Sequence, residues 1–139
     1  MIVVVDASVA AMWYLPQPYS DRAVGLLGSG HDLVAPELLR LEVGSALLRA
    51  VRRKELTRVA AGQVIQSLLP EAVRFLPTGD EAPASFEIAE RFGGSIYDAV
   101  YIALARALRA PISTDDVELA RTARKAGVTA VLVKDDFPL

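Results

Sequence analysis

The chain has 139 residues, 53% of them hydrophobic, and a mean hydropathy of +0.33. This excludes a disordered chain and favours one domain, residues 1–139, with a sizeable core. Fifteen Lys+Arg against 17 Asp+Glu give a net charge of −2, so there is no global nucleic-acid footprint. With no cysteine and a single histidine, disulfides and thiolate metal sites are excluded. A catalytic triad or a zinc site would have to be built on His31 alone, which reads as a surface-loop residue, so chemistry falls to the carboxylates.

In chain order, "IVVV" (2–5) reads as a buried strand ending on Asp6. A helix follows from about Ser8 to Leu15, stopped by Pro16 and Pro18. A short helix runs from Ser20 to Leu27 and ends at "GSG". "DLVAP" is a short strand closed by Pro36, which also suits the first turn of a long helix reaching about Lys54. Thr57 opens another helix that Pro70 should terminate. "AVRFLP" is the third strand, "PASFEIAERFGG" a helix with a glycine stop, and "SIYDAVYIALARALRA" a strongly apolar helix. "PIST" is the fourth strand, "DDVELARTARKAG" a helix closed by Gly127, and "AVLV" the last strand. No apolar run approaches the ~18–20 residues that span a bilayer, and no signal-peptide pattern follows Met1, so a cytoplasmic location is expected.

Apolar strands alternating with helices predict an α/β fold: a three-layer α/β/α sandwich around a central parallel sheet of about five strands. In such sheets the active site lies beyond the carboxyl ends of the strands, where the strand order reverses.

Four acids fit poorly as solvated charges. Asp6 follows strand one, and is either a helix N-cap or part of a site. Glu42 borders the packed stripe of its helix; it is either a seam acid paired with Arg49 or a member of the same site. Gly44, two residues on, costs about 1 kcal/mol relative to Ala in mid-helix, and close backbone or ligand approach is one reason to keep it. Asp98 opens an apolar helix, where the helix dipole offers ~0.3–1 kcal/mol and burial of an unpaired carboxylate costs several times that, so it needs a cation. After strand four, Asp115 is expected as N-cap with Glu118 completing a capping box, which leaves Asp116 for the site and lets Thr114 add a hydroxyl.

In a parallel sheet these ends share one edge. Converging carboxylates call for a hard divalent cation, Mg2+ or Mn2+. Setting the four aside leaves 13 acids against 15 Lys+Arg, so the remaining surface is slightly basic. The cluster Arg49, Arg52, Arg53 and Lys54 is read mainly as a solvated helix C-terminus, with phosphate contact as the other reading.

The stretches "VVVDASVAAMWYL", "LVAPELLRLEVGSALLRAV", "SIYDAVYIALARAL" and "PISTDDVELA", in this order, resemble PIN-domain proteins, specifically the VapC-like toxins of type II toxin–antitoxin systems. The resemblance covers nearly the whole chain. It implies catalytic and metal-binding acids at Asp6, Glu42, Asp98 and Asp116, with Ser8 as a hydroxyl that helps order the site. It departs from the family at Asp115, where a non-acidic residue is common. The resemblance also implies a Mg2+- or Mn2+-dependent ribonuclease that leaves a 5′-phosphate and a 3′-hydroxyl, a homodimer, and a cognate antitoxin that covers the active site.

Three other readings start from the same residues. A phosphoacceptor receiver domain would want an acidic pair after strand one and a phosphorylatable aspartate after strand three, where Asp80 is the candidate and Lys134 lends slight support, but Asp6 is followed by Ala7. A haloacid-dehalogenase-type phosphatase would need a second aspartate where Ser8 stands. A PIN fold retained only for partner binding is the third alternative, and the four intact acids argue against it.

Overall fold

The computed structural model describes residues 1–77 and 81–135. Five parallel strands form one sheet in the order β3-β2-β1-β4-β5: β1 Ile2–Val5, β2 Asp32–Pro36, β3 Arg74–Leu76, β4 Ile112–Thr114 and β5 Ala130–Leu132. Val3, Val4 and Val5 have no exposed surface, as a central strand covered on both faces requires. β1 pairs with β2 at Val3↔Leu33 and with β4 at Val5↔Ser113.

The strand order reverses between β1 and β4. Right-handed crossovers then place α1 (Ala7–Met12), α2 (Ser20–Leu27) and α3 (Leu38–Arg52) on one face of the sheet. The segments α4 (Arg58–Gln63) and α5 (Leu69–Ala72) follow α3 on that face. The other face carries α6 (Ala82–Phe92), α7 (Ile96–Leu108) and α8 (Val117–Lys125). Helix α1 packs on α3, and α7 packs on α6, α8 and the central strands. This is the three-layer sandwich expected. Trp13 pins α1 to α2 by donating its ring N–H to the Ala23 carbonyl at 2.8 Å. No helix among the described residues is long and apolar enough to cross a membrane.

Several boundaries differ from expectation. Helix α1 stops at Met12 rather than Leu15, and 13–15 form a turn. Pro36 is the last residue of β2, paired with Leu76, and not a helical residue. Pro70 does not end the helix after Thr57. Residues Val64–Leu68 form a π-turn, in which the N–H of Leu69 reaches back five residues to the Val64 carbonyl. Pro70 thus falls in the first turn of α5, where a missing N–H costs little.

Gly44 has open space where a Cβ would stand, so close backbone approach does not explain it. The order of strands also tells against the receiver reading. A receiver sheet runs 2-1-3-4-5, with β3 beside β1; here β2 lies between them. Asp80 itself lies outside the described residues.

Candidate active site

The backbone of Asp6 leaves β1 and enters α1, so its side chain caps that helix: Oδ1 accepts the Val9 N–H at 3.1 Å. The same oxygen accepts the Ser8 hydroxyl at 2.7 Å, and Oδ2 accepts the Thr114 hydroxyl at 2.6 Å. Ser8 Oγ in turn accepts the Asp115 N–H at 2.9 Å, and Thr114 Oγ1 accepts the Asp116 N–H at 2.9 Å. The ends of β1 and β4 are thereby laced together by two hydroxyls. Asp6, and not Ser8, is the cap of α1.

Asp116, not Asp115, caps α8. Its Oδ1 accepts the N–H groups of Glu118 at 2.9 Å and Leu119 at 3.1 Å. Two adjacent acids at a β–α junction each satisfy the sequence rule for a cap. The backbone hydrogen bond from Asp115 to Ser8 moves the helix start one residue on. The expected capping box therefore does not form, and Glu118 instead pairs with Arg121 at 2.8 Å. Asp6 and Asp116 share one arrangement. Each gives Oδ1 to its helix, while Oδ2 takes one hydroxyl in Asp6 and no hydrogen bond in Asp116 among the described residues. A carboxylate oxygen has room for a further electrophile in either case.

Asp98 lies in the first turn of α7, half-buried, its N–H capped by Ser95 Oγ at 3.0 Å. Glu42 is half-buried on α3. Its partner is not Arg49, which donates to Ser45 at 3.1 Å; Tyr101 of α7 donates its hydroxyl to Glu42 Oε1 at 2.7 Å. Tyr101 is 1% exposed, and its bond ties the two helical layers together across the sheet edge. Sequence reasoning missed this residue. The available signal was its position three after Asp98, on the same helix face, with a buried hydroxyl in need of a partner.

The acids sense one another. Burial first, then the Asp116 charge, push the Asp6 carboxyl up to about 6 against three hydrogen bonds that lower it. Burial and Asp116 likewise raise Asp98, and burial and Asp98 raise Glu42. Asp115 is raised by burial and by Asp116, while Lys134 pulls it the other way. The Tyr101 hydroxyl is held far above its ordinary value by burial and by Glu42, with Asp6 and Asp98 adding to it. Asp6, Glu42, Asp98 and Asp116 are thus linked electrostatically at the carboxyl edge, and none has an ion pair among the described residues. Asp116 rather than Asp115 is the acid that acts on Asp6 and Asp98.

Among the described residues no three acids draw together into a ready-made metal cage. The site is open, with oxygen donors only. His31 stands before β2 at the opposite edge, against the N-terminal amine. An oxygen-only, net-negative and open donor set suits a hard divalent cation that keeps part of its water shell, and suits soft metals poorly.

Known proteins share this architecture. A PIN domain family model matches residues 3–125. The chain belongs to the PIN domain family. It is 30% identical over 122 residues to Ribonuclease VapC3 of Pyrobaculum aerophilum, covering 86% of this chain and 93% of that protein. It is 32% identical over 121 residues to Ribonuclease VapC9 of Mycobacterium tuberculosis, covering 87% and 91%. The crystal structure of Mycobacterium tuberculosis VapC20, described as a sarcin-ricin loop cleaving toxin, superposes with a TM-score of 0.72 over 93% of this chain and 98% of that one. At 20% identity that last likeness is one of fold.

Proposed function

We propose that this PIN-domain chain is a Mg2+- or Mn2+-dependent endoribonuclease, the toxin of a type II toxin–antitoxin pair, working in the cytoplasm as a homodimer and held in check by a cognate antitoxin. The observation that carries the reading is the placement of Asp6, Glu42, Asp98 and Asp116 about the β1/β4 switch point, where burial and then neighbouring acid charge raise the proton affinity of the first three and no cation pairs with any of the four among the described residues. Relatives named as ribonucleases over most of the chain support it.

Asp6, Asp98 and Asp116 would hold the ion, with Glu42 beside them. When bound, a divalent ion neutralises a phosphate oxygen and lowers the pKa of a coordinated water. The chain's own residues do the rest. Ser8 and Thr114 fix the Asp6 carboxylate, so that it is in place before substrate arrives. Tyr101 fixes one oxygen of Glu42 and leaves the other to orient the attacking water. The raised proton affinity of Glu42 suits it to accept that water's proton. The water oxygen bonds to phosphorus as the P–O3′ bond breaks, giving a 5′-phosphate and a 3′-hydroxyl that takes its proton from solvent. No histidine is required.

Replacing Asp6 or Asp98 with Asn should abolish divalent-ion-dependent cleavage of RNA while the circular dichroism spectrum persists. Full activity in both variants would sink the reading.

A further inference from the structure

Beside the acids lies a groove of about 580 Å3 between α1 and α3. It starts at Ser8 and Glu42 and runs along α3 past Ser45 to Arg49 and Arg53. Along α3, Glu42, Ser45, Arg49 and Arg53 form one stripe at helical spacing. Arg49 is about 10 Å and Arg53 roughly 16 Å beyond Glu42 at the helical rise. Neither arginine has a carboxylate partner among the described residues, although Glu55 lines the far end of the groove. The floor is built from small side chains: Ala7, Ala11, Ala46 and Ala50.

We propose that this groove is the track for single-stranded RNA flanking the reacting phosphate, with Arg49 and Arg53 as the residues that bind flanking phosphates. The inference rests on the nuclease reading and deepens it. Negative charge gathers where a cation would meet the scissile phosphate, and positive charge begins about two helical turns away, too far to touch that same phosphate. Such alternation repels a polyanion only where the ion is expected and attracts it elsewhere. An alanine floor lets a sugar–phosphate backbone lie close. It provides little for an inserted peptide side chain to anchor against, since Leu15 and Pro16 are the larger apolar groups in the wall. The arginines at the end of α3 thus gain a role beyond complementing the helix dipole.

The test is fluorescence anisotropy of a labelled, unstructured 12-nucleotide RNA with metal-free protein at several salt concentrations, so that binding is read without cleavage. The double variant Arg49→Gln/Arg53→Gln should weaken binding about tenfold. It should also flatten the log–log salt dependence by about 1.4, the slope that two single-strand phosphate contacts contribute. Arg49→Lys/Arg53→Lys should keep the slope. Arg106→Gln, which removes a single positive charge at the C-terminal end of α7 on the opposite sheet edge, should change neither quantity. An unaltered slope in the Gln pair, or an equal loss in Arg106→Gln, overturns the proposal. Intact RNA binding with lost binding of poly-glutamate would overturn it in favour of an acidic protein segment. Cleavage of the same RNA by the wild-type chain with Mn2+ is scored separately: its absence strikes the nuclease reading and leaves the binding result legible.

Discussion

Asp6 divides its labour between its two oxygens. One closes the first turn of α1, and the other faces Thr114 and the site. Burial leaves this carboxyl with a proton affinity near pH 6, against 3.8 ordinarily. Between those values the folded, metal-free chain binds more protons than the unfolded one, so this group's contribution to stability falls as pH rises and its cost is fully present above pH 6. Asn caps a helix as well as Asp does and carries no charge. Asp6→Asn should therefore stabilise the metal-free protein at pH 7.5 by on the order of 1–3 kcal/mol, with little effect near pH 4. Thermal melts at both pH values check this, and equal shifts would refute it. Tyr101 offers a cleaner excision. Tyr101→Phe keeps the ring and deletes the hydroxyl that holds Glu42. A hydrogen bond to a charged group contributes about 1.5–3 kcal/mol, so kcat should fall roughly ten- to a hundredfold with KM nearly unchanged. A parallel rise in KM would indicate that the bond serves substrate binding instead.

At the scale of elements, helix α3 does most of the positioning. Its buried stripe, Leu39, Val43, Leu47 and Ala50, seats it on the sheet, which turns Glu42 toward the edge and Arg49 and Arg53 toward the groove. Gly44 contributes nothing visible to that packing, since a Cβ there meets open space. Gly44→Ala should raise stability by about 0.5–1 kcal/mol, read from chemical denaturation. Gly93, at φ 92 where α6 ends, should respond in the opposite sense. The elements themselves were largely legible in the sequence, because each of the five strands is a short apolar run bounded by turn residues. What was hidden depended on neighbours distant in the chain. Pro70 looked like a terminator because a π-turn leaves no mark in local composition. Asp115 and Asp116 are equivalent to any local capping rule, and only the bond from Asp115 to Ser8, 107 residues away, decides between them. The partnership of Tyr101 with Glu42 joins α7 to α3, and no periodicity within either helix announces it. The acids were legible for a simpler reason: a charge bordering apolar sequence is conspicuous wherever it ends up.

For the whole molecule, an ion held at the proposed carboxylate site would make ion binding and folding one equilibrium. Burial raises Asp6, Glu42 and Asp98, and neighbouring charges add to each. An ion that relieves this binds the folded form alone. At a hundredfold excess over its dissociation constant it contributes about 2.7 kcal/mol, or about 5–10 °C in the melting temperature of a chain this size. Mn2+ should produce that shift in the wild-type chain at pH 7.5, and Asp98→Asn should remove most of it. An unresponsive wild-type melt would mean that these acids hold no ion.

The bond from Thr114 to Asp6 closes across 108 residues. Asp6, Glu42, Asp98 and Asp116 therefore leave a ribosome in that order, at about 5–20 residues per second, and β1 lacks one of its two neighbours until β4 has emerged. A nascent chain surrounded by RNA holds an incomplete carboxylate set through most of its own translation. A message cut short before residue 112 yields a fragment without Thr114 and Asp116, the partner of Asp6 and the last of the four acids proposed for the site.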